Sequence, residues 1–171
     1  MRALIVGGGC RGLDLARELV AEGHALRVVT RTEDGRAAIE AAGAECWIGD
    51  PDRVGTLRYA LDNVTLLLWL LGTASGVDDE RLAALHGSRL RMMLEKTTDT
   101  TVRGVVYEAA GTLPAEVLEQ GAEEMRHAQR TNEIPFALVH ADPRGDRGEW
   151  LGATREAIDG LLAGPRRVAA A

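Results

Sequence analysis

Three glycines near the start of the chain have the spacing of a phosphate-binding loop. Gly7, Gly9 and Gly12 fit the pattern G-x-G-x-x-G within the segment GGGCRG. In a strand–turn–helix unit, the first glycine permits the tight turn, the second lets the backbone approach a pyrophosphate, and the third lets the helix pack on the strand. Backbone N–H groups at the start of that helix, here at Cys10 and Arg11, then face the phosphates. The pattern predicts dinucleotide binding, with a purely structural glycine turn as the alternative.

The residues about 20 positions beyond this loop indicate which dinucleotide is preferred, because NAD-binding folds carry an Asp or Glu there to hold the ribose 2′-hydroxyl. Here the second predicted strand ends at Thr30 and is followed by Arg31. A guanidinium binds a 2′-phosphate through paired hydrogen bonds, and Arg11 could approach the same phosphate. We therefore predict NADP(H) as the preferred cofactor. NAD(H) is the alternative, since Arg31 could be a solvated turn residue and Glu33 could fold back toward a ribose.

Strand and helix patterns alternate along the chain and would position this loop. Short apolar runs predict six strands, and amphipathic or capped segments between them predict helices. The predicted strands are 2–6, 25–30, 45–48, 65–71, 104–108 and 136–140. The predicted helices are 13–22, 35–42, 53–61, 78–96, 114–131 and 147–163. This alternation predicts an α/β fold of the three-layer, doubly wound Rossmann type, with a parallel sheet of about six strands in the order 3-2-1-4-5-6.

Length and composition narrow the class of protein. The 171 residues are expected to form a single dinucleotide-binding domain, 1–171, with 165–171 as a frayed tail. A net charge of −6 and an aromatic content of 4% argue against a nucleic-acid surface. Two cysteines make neither a disulfide framework nor a zinc site, so we predict no metal. No apolar run approaches the ~20 residues that span a bilayer, and no signal peptide is visible. We expect a cytoplasmic protein without membrane partners.

Several segments are similar to those of a known family. The segments GGGCRG, VVTR, GAECWIGDPD and LLLWLLG, in this order, resemble the NAD(P)-binding half of the extended and atypical short-chain dehydrogenases, including the epimerase-like and NmrA-like groups. VRGVVYEAAG and TNEIPFALVHADP resemble that family's fifth and sixth strands. The resemblance implies that Asp50 and Pro51 lie beside the adenine, with Asp50 accepting a hydrogen bond from its amine. It also implies that Leu71, Gly72 and Thr73 line the path from the phosphates to the nicotinamide ribose. A turn and helix-cap role for Asp50 is the alternative.

The residues that perform the chemistry in this family are missing. The family uses a Tyr-x-x-x-Lys pair and a serine after the fifth strand. Tyr59 is followed four positions later by Asn63, and Tyr107 by Gly111. Lys96 is the only lysine in the chain and has no such tyrosine partner. Little sequence follows the sixth predicted strand, so we also expect the family's separate substrate domain to be absent.

Glu108, at the end of the fifth predicted strand, is the candidate catalytic residue. It lies where the edge of a nicotinamide pocket would be, and a carboxyl there could donate a proton if burial raised its pKa. Its alternatives are a loop cap and a partner for an arginine. Trp150, near the start of the last predicted helix, is expected to cover a sheet edge or to face a dimer partner.

Three functions are compatible with these residues. The first is an NADP(H)-dependent oxidoreductase that passes hydride to a small acceptor such as a flavin or quinone, because the cofactor itself carries that chemistry. The second is a non-catalytic NADP(H) sensor or regulatory protein, and the third is a Rossmann scaffold used for assembly.

The chain also resembles potassium-transport regulatory domains of the TrkA type, but these keep an acid at the end of the second strand. A homodimer is a general expectation for so small a Rossmann unit.

Overall fold

A six-stranded parallel sheet organises residues 1–164, the part of the chain that the computed structural model describes. Its strands are β1 (Arg2–Gly7), β2 (Ala25–Thr30), β3 (Glu45–Ile48), β4 (Leu66–Leu70), β5 (Gly104–Glu108) and β6 (Phe136–Val139). They are ordered β3-β2-β1-β4-β5-β6, and every neighbouring pair is parallel. The predicted doubly wound α/β fold and its strand order are confirmed. The order reverses between β1 and β4, so the carboxyl ends of these two strands open the crevice in which such folds bind ligands.

Helices cover both faces of the sheet. They are α1 (Gly9–Ala21), α2 (Arg36–Ala41), α3 (Asp79–His86), α4 (Ser88–Thr97), α5 (Ala115–Asn132) and α6 (Arg147–Ala163). Helices α1, α2 and α6 pack on one face, around Ala3, Ile5 and Leu68. Helices α3, α4 and α5 pack on the other face. Because both faces are covered, the central strand β4 is apolar and buried at all five of its positions, as a doubly covered parallel strand requires.

The helix predicted over 78–96 is two helices separated at Gly87. The backbone of Gly87 leaves the helical conformation, with φ −119° and ψ −103°, and this ends α3 before α4 begins. The leucine periodicity continues across this break, and for that reason the sequence pattern did not show it. The helix predicted over 53–61 is instead two short 3-10 turns, Val54–Leu57 and Tyr59–Leu61.

The frayed tail predicted at 165–171 lies outside the described residues. The prediction that 1–171 form a single domain stays a prediction. Within 1–164, no helix combines the length and apolar character needed to cross a membrane.

Candidate functional site

The glycine loop joins β1 directly to α1. Gly7, Gly8 and Gly9 have positive φ angles of 87°, 81° and 50°, a left-handed path that favours glycine. A side-chain carbon on Gly7 would collide with the carbonyl oxygen of Leu70, and one on Gly12 would lie 2.9 Å from the carbonyl oxygen of Gly7. Gly9, by contrast, faces open space. The three glycines of the motif therefore stand at a tight turn, an open approach and a close helix–strand contact, as their spacing predicted.

The start of α1 presents unpaired backbone donors. Gly8 precedes the helix and no side chain caps it. The first helix acceptor in use is the carbonyl of Gly8, which receives the Gly12 N–H at 2.8 Å. The N–H groups of Gly9, Cys10 and Arg11 therefore lack acceptors within the helix, and they lie at the positive end of its dipole. This arrangement can bind an anion.

A cavity of about 590 Å³ opens beside this loop, within the size range of small-ligand sites. Of the site residues predicted from the sequence, it is lined by Gly7, Gly9, Cys10, Thr30, Arg31, Asp50, Pro51 and Leu71. Its remaining lining is largely apolar and includes Leu13, Val29, Ile39, Ala74 and Leu82. The structure thus gathers residues from the ends of β1, β2, β3 and β4 around one space.

Arg31 lies at the cavity edge where β2 ends. Its side chain is exposed and, within residues 1–164, forms no ion pair. The nearby acid Glu33 is instead held by Arg36, whose Nη2 donates to Glu33 Oε1 at 3.0 Å. This contact also lowers the pKa of Glu33. The end of β2 therefore presents a guanidinium that forms no ion pair within residues 1–164, next to a Glu33 carboxylate that is paired with Arg36.

Asp50 and Pro51 form the cavity wall at the end of β3. Oδ1 of Asp50 accepts the N–H of Asp52 at 3.0 Å, so Asp50 does make the local turn that was its alternative role. Because the same residue lines the cavity, the turn and a ligand contact are compatible. Asp52 also holds Arg81 and Arg89 at 3.3 and 3.0 Å, which ties this wall to α3 and α4. Sequence reasoning missed Asp52 and Arg81 as lining residues, because their pairing joins distant segments.

A buried network supports Leu71 from behind. The ring of His86 lies 3.2 Å from the carbonyl oxygen of Leu71 through Nε2, and 2.6 Å from the Tyr107 hydroxyl through Nδ1. Burial lowers the pKa of His86 to about 4, so the imidazole is neutral at pH 7. The Tyr107 hydroxyl oxygen also lies 3.0 Å from the carbonyl oxygen of Leu118. Because the neutral ring has one N–H, the Tyr107 proton goes to Nδ1 when Nε2–H donates to Leu71, and to the Leu118 carbonyl when Nδ1 carries the ring proton. Tyr107 is therefore a core residue.

Arg11, Gly12, Gly72 and Thr73 do not line the cavity. The Arg11 side chain turns away from Arg31, across β1 and toward β6, where Nη2 donates to the carbonyl of Gly145 at 2.6 Å. The expectation that Arg11 approaches the same phosphate as Arg31 is not met by this geometry.

Glu108, the candidate catalytic residue, is fully buried. Its Oε2 accepts the N–H of Gly72 at 2.8 Å, and its Oε1 accepts the indole N–H of Trp150 at 2.9 Å. Burial raises the pKa of Glu108 to about 7, against the opposing effect of these two hydrogen bonds and of Arg11. The carboxyl therefore joins β4, β5 and α6. Trp150 is itself fully buried in the chain's own core, so it does not face a dimer partner.

The raised pKa of Glu108 predicts a pH-dependent stability. The folded chain keeps the Glu108 proton between about pH 4.5 and pH 7, whereas the unfolded chain releases it, so rising pH lowers the free energy of unfolding. Replacing Glu108→Gln removes this titration. From pH 5 to pH 8, the free energy of unfolding of the wild type should fall, relative to that of the variant, by on the order of 2 kcal/mol, as measured by urea unfolding. The control Glu156→Gln, at an exposed residue, should show the same dependence of stability on pH as the wild type. If stability varied with pH in Glu108→Gln as it does in these two proteins, the raised pKa of Glu108 would be contradicted.

Comparison with solved structures shows what this architecture resembles. A UDP-glucose 4-epimerase from Thermotoga maritima superposes with a TM-score of 0.68 at 13% identity, over 82% of this chain and 55% of that chain. A short-chain dehydrogenase/reductase superfamily protein from Agrobacterium tumefaciens with bound NAD gives 0.67 at 17% identity, over 98% and 63%. A triphenylmethane reductase from Citrobacter sp. gives 0.63 at 17% identity, over 82% and 48%.

The likeness lies in structure more than in sequence. No protein-family model and no curated protein sequence matches the chain. The chain spans about half to two-thirds of the length of these structures. The resemblance stated from the sequence segments is confirmed at the level of the fold. The chain has the Rossmann fold shared by NAD-dependent epimerases and short-chain dehydrogenases.

Proposed function

We propose that the chain binds NADP(H) in the cavity between the glycine loop and the ends of β2, β3 and β4. The observation that carries this proposal is Arg31, an exposed guanidinium at the cavity edge beside β2 that forms no ion pair with any residue of 1–164. Glu33, the acid that could have held a ribose hydroxyl, is engaged by Arg36. A guanidinium that is not paired with a carboxylate favours a 2′-phosphate over a 2′-hydroxyl.

The glycine loop supplies the second part of the proposed site. The open space at Gly9 and the donors at the start of α1 fit the pyrophosphate, because backbone N–H groups can approach it without a side chain between them. Asp50, Pro51 and the apolar wall at Leu82 provide a slot for the adenine. When bound, the cofactor supplies a transferable hydride, and a small acceptor such as a flavin or quinone is the proposed recipient.

A non-catalytic NADP(H) sensor or regulatory protein is the second candidate function. It is favoured by the state of the two groups that could have served as acids. The Glu108 carboxyl is enclosed and holds two donors, and the Tyr107 hydroxyl is enclosed and bonded to His86. Neither faces the cavity. The cytoplasmic location and the homodimer stay predictions.

One experiment with two readouts tests the proposal. Titrating the chain into NADPH or NADH should change cofactor fluorescence at micromolar NADPH and only at much higher NADH. Adding flavins or quinones to the complex, with free cofactor as the control, then measures oxidation at 340 nm. Oxidation that needs the chain supports the oxidoreductase, and binding without oxidation supports the sensor. If neither NADPH nor NADH binds at millimolar concentration, both the oxidoreductase and the sensor function are wrong.

A further inference from the structure

The cavity lies over one half of the sheet only. All its lining residues fall between Val6 and Leu85, on β1, β2, α1, α2 and α3 and on the segments that follow β2, β3 and β4. No described residue of β5, β6 or the segments that follow them lines it. In a doubly wound fold each half of the sheet offers a place for one mononucleotide of the ligand. The space is thus built over the half expected to hold the adenosine phosphate.

Backbone fills the other half where β4 and β5 end. The carbonyl of Gly72 accepts the N–H groups of Thr112 at 2.9 Å and of Leu113 at 3.3 Å. A side-chain carbon on Gly72 would collide with the carbonyl of Ala110, and one on Gly111 would collide with Gly72. The segments that follow β4 and β5 are therefore in direct contact, with no gap between them for a ring.

Glu108, the last residue of β5, stabilises this contact. It holds the Gly72 N–H and the Trp150 indole N–H on its two carboxyl oxygens. Glu108 and Trp150 have no exposed surface. Separating the two segments would break the bond between Glu108 and the Gly72 N–H, which is part of a buried network.

Arg11 bridges the same half on its outer side. Its bond to the Gly145 carbonyl joins the loop after β1 to the segment between β6 and α6. The second terminal nitrogen, Nη1, is buried and has no hydrogen-bond partner among the described residues. The half-buried Arg11 side chain therefore links the loop after β1 to the segment that follows β6.

We propose that the chain recognises its ligand through the adenosine 2′,5′-bisphosphate half alone, while the closed edge over β5 and β6 gives the nicotinamide half no enclosed seat. The inference rests on the proposed function and extends it. The ligand class then includes any molecule that presents a 2′-phosphorylated adenosine 5′-phosphate, with or without a nicotinamide.

Calorimetric titration of the whole chain tests this inference with four ligands: NADP⁺, adenosine 2′,5′-bisphosphate, ADP and nicotinamide mononucleotide. The bisphosphate should bind within about tenfold of NADP⁺, a difference of at most ~1.4 kcal/mol. Nicotinamide mononucleotide should not bind at millimolar concentration, either alone or beside the bisphosphate. As an internal control, Arg31→Ala should weaken NADP⁺ and the bisphosphate by the same factor, because both carry the 2′-phosphate.

The outcomes separate this inference from the proposed function. If NADP⁺ binds and the bisphosphate is more than about tenfold weaker, the nicotinamide half has a seat, and the inference fails while NADP(H) binding stands. Binding of nicotinamide mononucleotide beside the bisphosphate would have the same meaning. If neither NADP⁺ nor the bisphosphate binds, the proposed function fails.

Discussion

Replacing Arg31→Asp should lower the affinity for NADPH by about 100-fold and leave the affinity for NADH within about threefold. The substitution removes the guanidinium proposed to pair with the 2′-phosphate and places a carboxylate beside it. NADH carries a hydroxyl at this position, so it loses little and could gain a hydrogen bond to the new carboxylate. Fluorescence titration of both cofactors into both proteins measures the ratio.

Two further variants sharpen this result. Arg58→Asp makes the same change of charge at an exposed residue that does not line the cavity, so its NADPH affinity should follow the wild type. Arg31→Lys keeps the charge but loses the paired hydrogen bonds, so its affinity should fall between those of the wild type and Arg31→Asp. Equal losses of NADPH and NADH in Arg31→Asp would show that the 2′-phosphate is not bound there.

Replacing Gly12→Val should abolish binding of both cofactors, with a loss of at least about 100-fold. A side-chain carbon at residue 12 lies 2.9 Å from the Gly7 carbonyl, and the two methyl groups of valine add to this overlap. Helix α1 must then move away from β1, which displaces the N–H groups of Gly9, Cys10 and Arg11. Overpacking of this kind also costs about 1–3 kcal/mol of stability.

Matched variants distinguish lost binding from lost folding. Gly152 is also a helical glycine, but a side-chain carbon there meets nothing within 4 Å. Gly152→Ala should keep full NADPH affinity and gain about 0.5–1 kcal/mol of stability. The milder Gly12→Ala places the same carbon 2.9 Å from the Gly7 carbonyl but lacks the two methyl groups of valine, so it should remain folded with intermediate affinity. Unchanged NADPH binding by a folded Gly12→Val would contradict the role of the loop.

The strand order of this fold could be predicted because each element carries a local signal. The apolar run at β4 indicates a doubly covered strand, and the glycines after β1 mark the start of α1. The break at Gly87 could not be predicted, since the leucine pattern continues across it and only the backbone angles of Gly87 show that the helix stops there. Local patterns determine which elements form, but they do not show this break.

In the candidate site, too, some residues could be predicted from the sequence, whereas their contacts with distant segments could not. Thr30 and Arg31 were predicted from spacing and Asp50 from the family resemblance, and all three line one cavity. Glu108 was predicted as a candidate acid from its position on β5. Its enclosure by Gly72 and Trp150, which are far away in the sequence, is visible only in the fold. The direction of a long side chain such as Arg11 is likewise set by the segment it meets.

A crystal structure of the chain with NADPH tests the central claim most directly. We expect the 2′-phosphate within hydrogen-bond distance of the Arg31 guanidinium and the pyrophosphate against the N–H groups of Gly9, Cys10 and Arg11. The adenine should lie between Asp50 and Leu82, with Glu108 still bonded to Gly72 and Trp150. A 2′-phosphate directed into solvent away from Arg31, or a nucleotide bound outside the cavity, would contradict the account.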